Sequence, residues 1–130
     1  MTDTIADMLI RIKNAYLASK ETVKVPASKA HLAIAQVLQE SGYLADVKKV
    51  EDEKKHTSLE LTLRYTGVTP AMSDVKRVSK PGCRVYVSAA EIPAVLHGYG
   101  LAILSTSQGI LAGNVAKQKG VGGELLAEVW

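Results

Sequence analysis

The chain has 130 residues, of which 47% are hydrophobic, and its 16 basic and 13 acidic residues give a formal charge of +3. This length fits one domain or two very small ones, and the mildly basic charge is compatible with a nucleic-acid partner without identifying one. The single cysteine excludes an intramolecular disulfide. The sequence shows no secretory signal, and no apolar run approaches the roughly 20 residues that a membrane span needs. We therefore expect a cytoplasmic protein.

The chain begins with a pattern typical of an amphipathic helix. Thr4 is expected as its N-cap, with Asp7 three residues later in the position of a capping-box acid. The apolar residues recur at helical spacing and define one face: Ile5, Met8, Leu9, Ile12 and Tyr16. Arg11 and Lys13 lie off that face, where they could meet phosphates, although an ordinary solvated helix face is the alternative.

A strand and a second helix follow. Residues 22–25 alternate as a strand that stops at Pro26, and Ser28 is the expected N-cap of a helix over residues 29–41, closed by Gly42. The start of this helix, Ser28-Lys29, combines free backbone N–H groups with a positive side chain, which suits a phosphate. Many helices begin this way with nothing bound, so both interpretations stay open.

Two strands over residues 43–50 and 57–65 are joined by a charged hairpin loop, and the second alternates between a buried and a solvated face. The best break in the chain, Thr66-Gly67-Val68-Thr69-Pro70, divides an N-terminal αβ lobe, residues 1–66, from a C-terminal β-rich lobe, residues 67–130. Each lobe is so short that its own core would be marginal, so the two are expected to pack together.

The C-terminal half opens with a tight turn and a strand that carries polar chemistry. Lys80-Pro81-Gly82 has the composition of a turn, and residues 83–88 then alternate, with Cys83 on the inward face. The outward face comprises Arg84, Tyr86 and Ser88. A cation, an aromatic ring and a hydroxyl on one face can offer phosphate pairing, base stacking and hydrogen bonding together. Tyr86 could instead be a half-buried packing residue.

A short helix and a hairpin come next. Ser88-Ala89-Ala90-Glu91 repeats the capping-box pattern and predicts a helix that ends by Gly98. The apolar runs 101–104 and 110–112 are separated by Ser105-Thr106-Ser107-Gln108-Gly109, which predicts a hairpin. Three hydroxyls and an amide at its tip could read polar edges of a partner, but Ser and Thr also commonly satisfy their own turn backbone. The hairpin alone leaves both open.

Beyond the hairpin, Asn114 is expected as the N-cap of a short helix over residues 115–119, which carries Lys117 and ends at Gly120. Gly122-Gly123 then leads into a closing strand over residues 124–130. A glycine pair at the start of a strand allows close backbone approach by something else, whether a ligand or another strand.

No catalytic constellation is visible. The histidines are isolated, without the short spacing to a second ligand that metal sites on helices use: His31, His56 and His97. Cys83 is expected to be a small buried hydrophobe rather than a reactive thiol. Glu124 and Glu128 would lie roughly 13 Å apart along a strand, too far to cooperate as paired carboxylates.

Several segments, in order and with matching spacing, resemble the signature of bacterial small-subunit ribosomal protein eight. They are residues 3–14, residues 77–86, Ser105-Thr106-Ser107 with Gly109, Ala116, and Gly122-Gly123-Glu124. The resemblance covers almost the whole chain. It implies an α+β fold of two small packed lobes, N-terminal α-β-α-β-β and C-terminal mostly β with short helices. It also implies a constituent of the small ribosomal subunit that is not an enzyme and needs no cofactor or metal.

The resemblance further implies that the protein binds a helical stem in the central domain of the small-subunit ribosomal RNA and supports subunit assembly, with most of the recognition in the C-terminal half. The RNA-binding residues carried over are Thr4, Arg11, Lys13, Ser28, Lys29, Arg84, Tyr86, Ser105, Thr106, Ser107, Gln108, Lys117, Gly122, Gly123 and Glu124. Gln108 and Ser88 stand where relatives often carry a basic side chain, which should reduce phosphate contacts. Because phosphate repels an acid, we expect Glu124 to accept from a base or to orient a neighbouring lysine or the Ser-Thr-Ser loop.

The implied partners are the central-domain stem and neighbouring small-subunit ribosomal proteins, numbers five and two. The family is known to repress translation of its own operon, so the operon messenger RNA is a further expected partner. A monomer without a membrane partner is expected when the protein is free. A protein-interaction module, in which the hairpin docks on another protein, is the remaining alternative.

Overall fold

The computed structural model describes residues 3–95 and 99–130. His97 and the predicted helix end at Gly98 lie outside the described residues. The fold is mixed α+β, as predicted, and divides into two compact units. We call residues Ile5–Ser73 the N-unit and residues Asp74–Trp130, together with residues 3–4, the C-unit.

The N-unit contains two helices, a three-stranded antiparallel sheet of order β1-β3-β2 and a short hairpin. The elements are α1 (Thr4–Leu17), β1 (Thr22–Pro26), α2 (Lys29–Glu40), β2 (Leu44–Glu51), β3 (Thr57–Leu63), β4 (Tyr65–Thr66) and β5 (Thr69–Pro70). The segment predicted as the break between lobes therefore forms the β4–β5 hairpin. The compact units divide between Ser73 and Asp74.

The predicted apolar faces form the core of the N-unit. Helix α1 buries Met8, Leu9, Ile12 and Tyr16, and β3 buries Leu59, Leu61 and Leu63 on one face. Burying each large aliphatic side chain contributes about 1.5–3 kcal/mol, so these faces stabilise the N-unit. The Tyr16 hydroxyl donates to the carbonyl of Tyr43 and accepts from the Arg64 amide at 3.1 Å. The buried tyrosine hydroxyl therefore has hydrogen-bond partners within the core.

The start of α2 is built as its sequence predicts. Ser28 is the N-cap, and its hydroxyl accepts a hydrogen bond from the backbone N–H of His31 at 3.1 Å. The His31 ring Nδ1 lies 2.7 Å from the carbonyl of Pro26, which ties the helix to the end of β1. Helix α1 begins at Thr4 itself, whereas the sequence placed Thr4 one position before the helix; a difference of one residue is common at helix ends.

The C-unit is a five-stranded antiparallel sheet with helical segments on one face. Its elements are β6 (Val75–Arg77), β7 (Tyr86–Val87), a 3₁₀ turn (Ala89–Glu91), β8 (Leu101–Thr106), β9 (Gly109–Ala112), α3 (Gly113–Lys119) and β10 (Gly123–Val129). The order is β6-β10-β8-β9, and β7 also pairs with β10. The core on the helical face consists of Ile92, Val95, Ala102, Leu104, Ala116 and Leu125, with partly buried apolar neighbours.

The central strand β10 changes partner along its length. Its first residues pair with β7 and its last residues with β6, while β8 follows it throughout. An irregularity between Leu125 and Ala127 separates the two halves. The carbonyl of Leu126 accepts from the Val78 amide at 3.0 Å and from Arg77 Nη1 at 2.5 Å, so the bulge carbonyl is satisfied. Arg77 also forms an ion pair with Asp3 at 3.1 Å.

Three local predictions in the C-unit are wrong. Cys83 is exposed, because regular strand begins only at Tyr86 and Cys83 instead closes the Lys80 turn through a backbone bridge. Asn114 lies inside α3, whose N-cap is Ala112 without a side-chain cap, since the chain passes directly from β9 into the helix. Ser88 is the N-cap of a helical turn, as predicted, but the turn is only the 3₁₀ segment Ala89–Glu91, and the Ser88 hydroxyl donates to the Glu91 carboxylate at 2.9 Å instead of accepting from a backbone amide.

Other turn predictions are confirmed. Gly120 ends α3 in the left-handed conformation, with φ of 68°. Lys80 and Cys83 exchange backbone hydrogen bonds of 3.0 and 2.9 Å across the predicted tight turn. In the part of the chain that the structure describes, no helix is long and apolar enough to cross a membrane.

Candidate nucleic-acid interface

Three of the predicted site residues form a row across neighbouring strands of the C-unit sheet. In the strand register Glu124 lies opposite Tyr86 on one side and opposite Ser105 on the other. Residues directly opposite in an antiparallel ladder project from the same face of the sheet, so these three side chains share one face. We call Tyr86, Glu124 and Ser105 the polar row.

Alternation along the strands explains why the row faces away from the helices. Leu104 and Leu125, the residues next to Ser105 and Glu124, are paired with each other and buried in the core cluster. Successive side chains of a strand point to opposite faces, so burying the two leucines turns their polar neighbours outward. Tyr86 is 70% exposed. The packing interpretation of this tyrosine is therefore wrong.

Glu124 is held by contacts from two other segments of the C-unit. Its Oε2 accepts a hydrogen bond from the hydroxyl of Ser79, which is fully buried, and one from Arg84 Nη1 at 3.1 Å. The same Ser79 oxygen accepts from the Val85 amide at 3.3 Å. Ser79 therefore links the segment before β7 to the carboxylate on β10, and the arginine is oriented beside the row.

These contacts also set the charge state of the carboxyl group. Partial burial alone would raise the pKa of Glu124, but the hydrogen bonds from Ser79 and Arg84 and the charges of Arg84 and Arg77 outweigh it. The net result is a pKa below the ordinary glutamate value. Glu124 is therefore ionised at neutral pH, and its carboxylate can only accept hydrogen bonds.

The sequence predicts that Glu124 accepts a hydrogen bond from a base or orients a lysine or the Ser-Thr-Ser loop. Among the described contacts its protein partners are Ser79 and Arg84, which the sequence does not predict as partners, and acceptance from a base stays a prediction. Ser79 lies within the signature segment 77–86, but the sequence does not predict its contact with Glu124, because the two residues are 45 positions apart in the chain. Only the pairing of β10 with the β7 segment brings the two together.

The hydroxyls near the hairpin tip differ in their contacts: that of Thr106 bonds the turn backbone, and Ser107 is exposed to solvent. The strands extend further than predicted, so that Ser105 and Thr106 belong to β8 and only Ser107 and Gln108 form the turn. The Thr106 hydroxyl donates to the Gly109 carbonyl at 2.8 Å and accepts from the Gln108 amide at 3.1 Å. For Thr106, the turn-satisfying interpretation is confirmed. Ser107 and Gln108 are exposed at the tip.

The glycine pair permits the close strand contacts on which the row depends. A Cβ on Gly122 would lie 2.3 Å from the Val87 carbonyl oxygen, and one on Gly123 would lie 2.2 Å from the Ser105 carbonyl oxygen. Both distances are shorter than any contact that a real Cβ atom makes. A side chain at either position would therefore push β10 away from its neighbouring strand. The predicted close approach is thus made by strands β7 and β8.

Comparison with known sequences assigns the chain to a family. A sequence model described as Ribosomal protein S8 matches residues 3–130. The chain belongs to the ribosomal protein S8 family. It is 51% identical over 130 residues to the small ribosomal subunit protein uS8 of Spiroplasma kunkelii, a match that covers 100% of this chain and 99% of that protein. It is 50% identical to uS8 of Geobacillus kaustophilus, covering 100% and 98%, and 49% identical to uS8 of Acinetobacter baylyi, covering 99% and 98%.

The remaining RNA-binding residues expected of an S8-family chain lie outside the polar row. Lys117 is exposed on α3. Arg11 is exposed on α1 and donates to the Lys24 carbonyl at 3.4 Å, while Lys13 is half-buried. Ser28 caps α2 next to an exposed Lys29. Thr4, at the start of α1, is exposed. Their RNA contacts stay predictions.

Proposed function

We propose that this S8-family chain binds small-subunit ribosomal RNA through the polar row and the adjoining hairpin tip, and thereby supports assembly of the small subunit. The observation that carries the proposal is the row itself. Three strands place an exposed aromatic ring, an ionised acceptor and a hydroxyl side by side, with Arg84 hydrogen-bonded at its flank.

This set of groups suits an irregular RNA stem. The major groove of A-form RNA is too narrow for side chains, so proteins read bases where they are splayed out of the helix. Tyr86 can stack on such a base, Ser105 and Ser107 can donate to or accept from its edge, and Glu124 can accept from an amino or imino group. Phosphate contacts position a protein without reading sequence, and they fall to cations such as Arg84.

Family membership supports the cellular setting. The relatives are named small ribosomal subunit proteins, which favours the cytoplasmic small subunit as the place of action and a structural rather than an enzymatic role. In the described residues, no group of three or more His, Cys, Asp or Glu side chains is placed to hold a metal ion.

The test is a filter-binding titration of a central-domain ribosomal RNA stem with the double variant Ser105→Ala/Ser107→Ala. Thr106 is left in place because its hydroxyl holds the turn. We expect about tenfold or more weaker binding, since two hydrogen bonds to bases are lost, with an unchanged dependence on salt. The matched control is Ser41→Ala/Ser73→Ala, two exposed serines of the N-unit, which should bind as wild type does.

Two results would contradict the proposal. One is a wild-type protein that binds the stem and an unrelated RNA of the same length with equal affinity. The other is a double variant that binds the stem like the control, because the hydroxyls would then serve the turn alone.

The same face would serve two finer roles that the family suggests. An operon messenger RNA that resembles the ribosomal stem would occupy the polar row, and a translational reporter with the operon leader tests this by its response to Ser105→Ala/Ser107→Ala. Contacts with small-subunit proteins five and two are expected on surfaces away from the row, and cross-linking within assembled subunits would locate them.

A further inference from the structure

Ser79 lies beside the polar row but is fully buried, so it cannot contact a ligand itself. Its hydroxyl donates to Glu124 Oε2 and accepts from the Val85 amide at 3.3 Å. Its backbone amide donates to the carbonyl of Leu126, at the bulge of β10, at 3.4 Å. The side chain and the backbone of this one residue are therefore both bonded to the strand that carries Glu124.

The Ser79 hydroxyl also closes the loop that presents Arg84. The chain reverses at the turn between Lys80 and Cys83, and the Val85 amide then returns to Ser79 Oγ. Arg84 lies on this loop, one residue before Val85, and its Nη1 is 3.1 Å from Glu124 Oε2. A single buried hydroxyl thus fixes both the carboxylate and the base of the loop that carries the neighbouring cation.

The two oxygens of the Glu124 carboxylate are used differently. Ser79 and Arg84 both donate to Oε2, and among the described residues none donates to Oε1. Each carboxylate oxygen offers about two lone-pair sites, so the two protein donors fill Oε2. The Glu124 side chain is 17% exposed and lies opposite the exposed Tyr86 in the strand register. Oε1 is therefore the acceptor that remains for a ligand.

We propose that Ser79 is a positioning residue for RNA recognition, which holds Oε2 of Glu124 so that Oε1 accepts from a single donor on a base. The amino and imino groups of bases are donors of this kind. A base edge that needed both carboxylate oxygens would have to displace Ser79 or Arg84, so the arrangement favours a contact with one donor. The inference rests on the proposed function, because it requires the polar row to face RNA.

Holding the carboxylate in advance should strengthen binding. A side chain that is ordered only on binding costs free energy, and the bond from Ser79 removes that cost for Glu124. Because Ser79 carries no charge, its effect should be the same at every salt concentration, unlike the effect of a cation that meets phosphate.

The experiment is a double-mutant cycle of Ser79→Ala and Glu124→Ala, with filter binding to the central-domain stem as the readout. Ser79→Ala should weaken binding about fivefold in the wild-type background, without a change of salt slope. In the Glu124→Ala background the same change should weaken binding by less than about twofold, because no carboxylate is left to position. A serine that serves only the stability of the loop would cost the same affinity in both backgrounds.

Two further variants separate positioning from packing. Ser79→Cys is close to serine in size, but a thiol is a weak hydrogen-bond donor, so this variant should fold and should reproduce the loss of affinity. Ile34→Val is the matched control, since it lowers stability in the core of the N-unit without touching the row and should bind as wild type does. Thermal unfolding of each variant measures its stability.

A titration of the Glu124 carboxyl by NMR tests the contact without RNA. Ser79→Ala should raise the pKa of Glu124, because a hydrogen bond to the charged form is lost. An unchanged pKa would overturn the proposal, since Ser79 would then not hold the carboxylate in solution.

Equal losses of affinity in the two backgrounds of the cycle would also overturn the proposal, as would wild-type affinity of both Ser79→Ala and Ser79→Cys. Failure of the proposed function has a different signature. The wild-type protein would then bind the stem and an unrelated RNA of the same length equally well, while the pKa of Glu124 would still respond to Ser79→Ala.

Discussion

The polar row of the C-unit and a groove in the N-unit differ in what they can recognise. The groove follows the edge of β1 that pairs with no described strand, and we call it the edge groove; its basic lining residues are Arg11, Lys20, Lys24 and Lys55. The row carries an aromatic ring, a hydroxyl and an ionised carboxylate, with only one cation hydrogen-bonded beside it. The groove carries four cations and the imidazole of His56, and its lining residues include no tyrosine or tryptophan. Hydrogen-bonding and stacking groups discriminate between bases, whereas cations attract any phosphate.

The two regions also differ in how firmly they are held. The row is centred on Glu124 of β10, a strand that is paired on both sides, and the Glu124 carboxylate has two side-chain partners. The groove lies on an edge strand, and Lys20, Lys24 and Lys55 are exposed. A site that selects one ligand geometry needs side chains that are already fixed, because ordering a flexible side chain on binding costs free energy and weakens the affinity. Long-range attraction tolerates flexible lysines.

The largest expected effect removes the geometry of the row. Gly123→Ala should lower the free energy of unfolding by about 3 kcal/mol, because its Cβ would meet the Ser105 carbonyl at 2.2 Å and the strands cannot separate without losing ladder hydrogen bonds. Urea titration measures this, and stem binding should fall as well. Gly82→Ala is the control, since nothing lies within 4 Å of its Cβ. Equal stability of the two variants would refute the packing argument.

The next effect tests base stacking by the row. Tyr86→Ala should weaken binding to the stem by about 1–3 kcal/mol, since that is the usual contribution of a base stacked on an aromatic side chain. Stability should change little because the side chain is 70% exposed. Tyr86→Phe keeps the ring and should retain most of the affinity in the same filter-binding assay. If phenylalanine were as damaging as alanine, the hydroxyl rather than the ring would be the recognised group.

A smaller effect, dependent on pH, tests the anchoring of Arg84. Glu124→Gln should lower the free energy of unfolding by about 1–2 kcal/mol at pH 7, because two hydrogen bonds lose their charged acceptor. The loss stays this small because Arg84 is partly exposed to solvent, which weakens its ion pair with Glu124. The pKa of Glu124 is lowered by folding, so its stabilising contribution is complete above the ordinary value of about 4.3 and is lost as the pH falls through the lower, folded pKa. Urea titrations at a series of pH values from 7 downward should therefore show the difference between wild type and variant in full at pH 7 and shrinking as the pH falls below the ordinary glutamate value. A constant difference at all pH values would show that packing, not charge, is responsible.

Much of this arrangement follows from periodicity and caps in the sequence. The apolar stripe of α1, the alternation of β3, the Ser28 cap and the Gly120 helix end all depend on residues close in the chain, and all four are confirmed. The outward position of Tyr86 was also predictable, since period-two alternation places it opposite the apolar Val85 and Val87, whereas the extension of β8 to Ser105 and Thr106 was not.

Features that depend on long-range pairing could not be predicted in the same way. The partners of Glu124 come from a segment 40 and 45 residues away, and the bulge at Leu126 reflects a change of strand partner. Cys83 fits an alternating pattern, yet a turn bridge to Lys80 overrides it and leaves the thiol exposed. The edge groove had no sequence signature, because its cations come from four separate segments.

The smallest effect separates helix capping from phosphate binding at Ser28. Ser28→Ala should lower the free energy of unfolding by about 1 kcal/mol, since the His31 amide loses its cap, while Ser28→Asp should retain the cap. If the start of α2 also meets a phosphate, the aspartate will repel it, and Ser28→Asp will bind RNA a fewfold more weakly at 50 mM salt but like wild type at 300 mM. Thermal unfolding and filter binding on the same preparations measure both quantities. Wild-type affinity of Ser28→Asp at low salt would leave Ser28 a helix cap only.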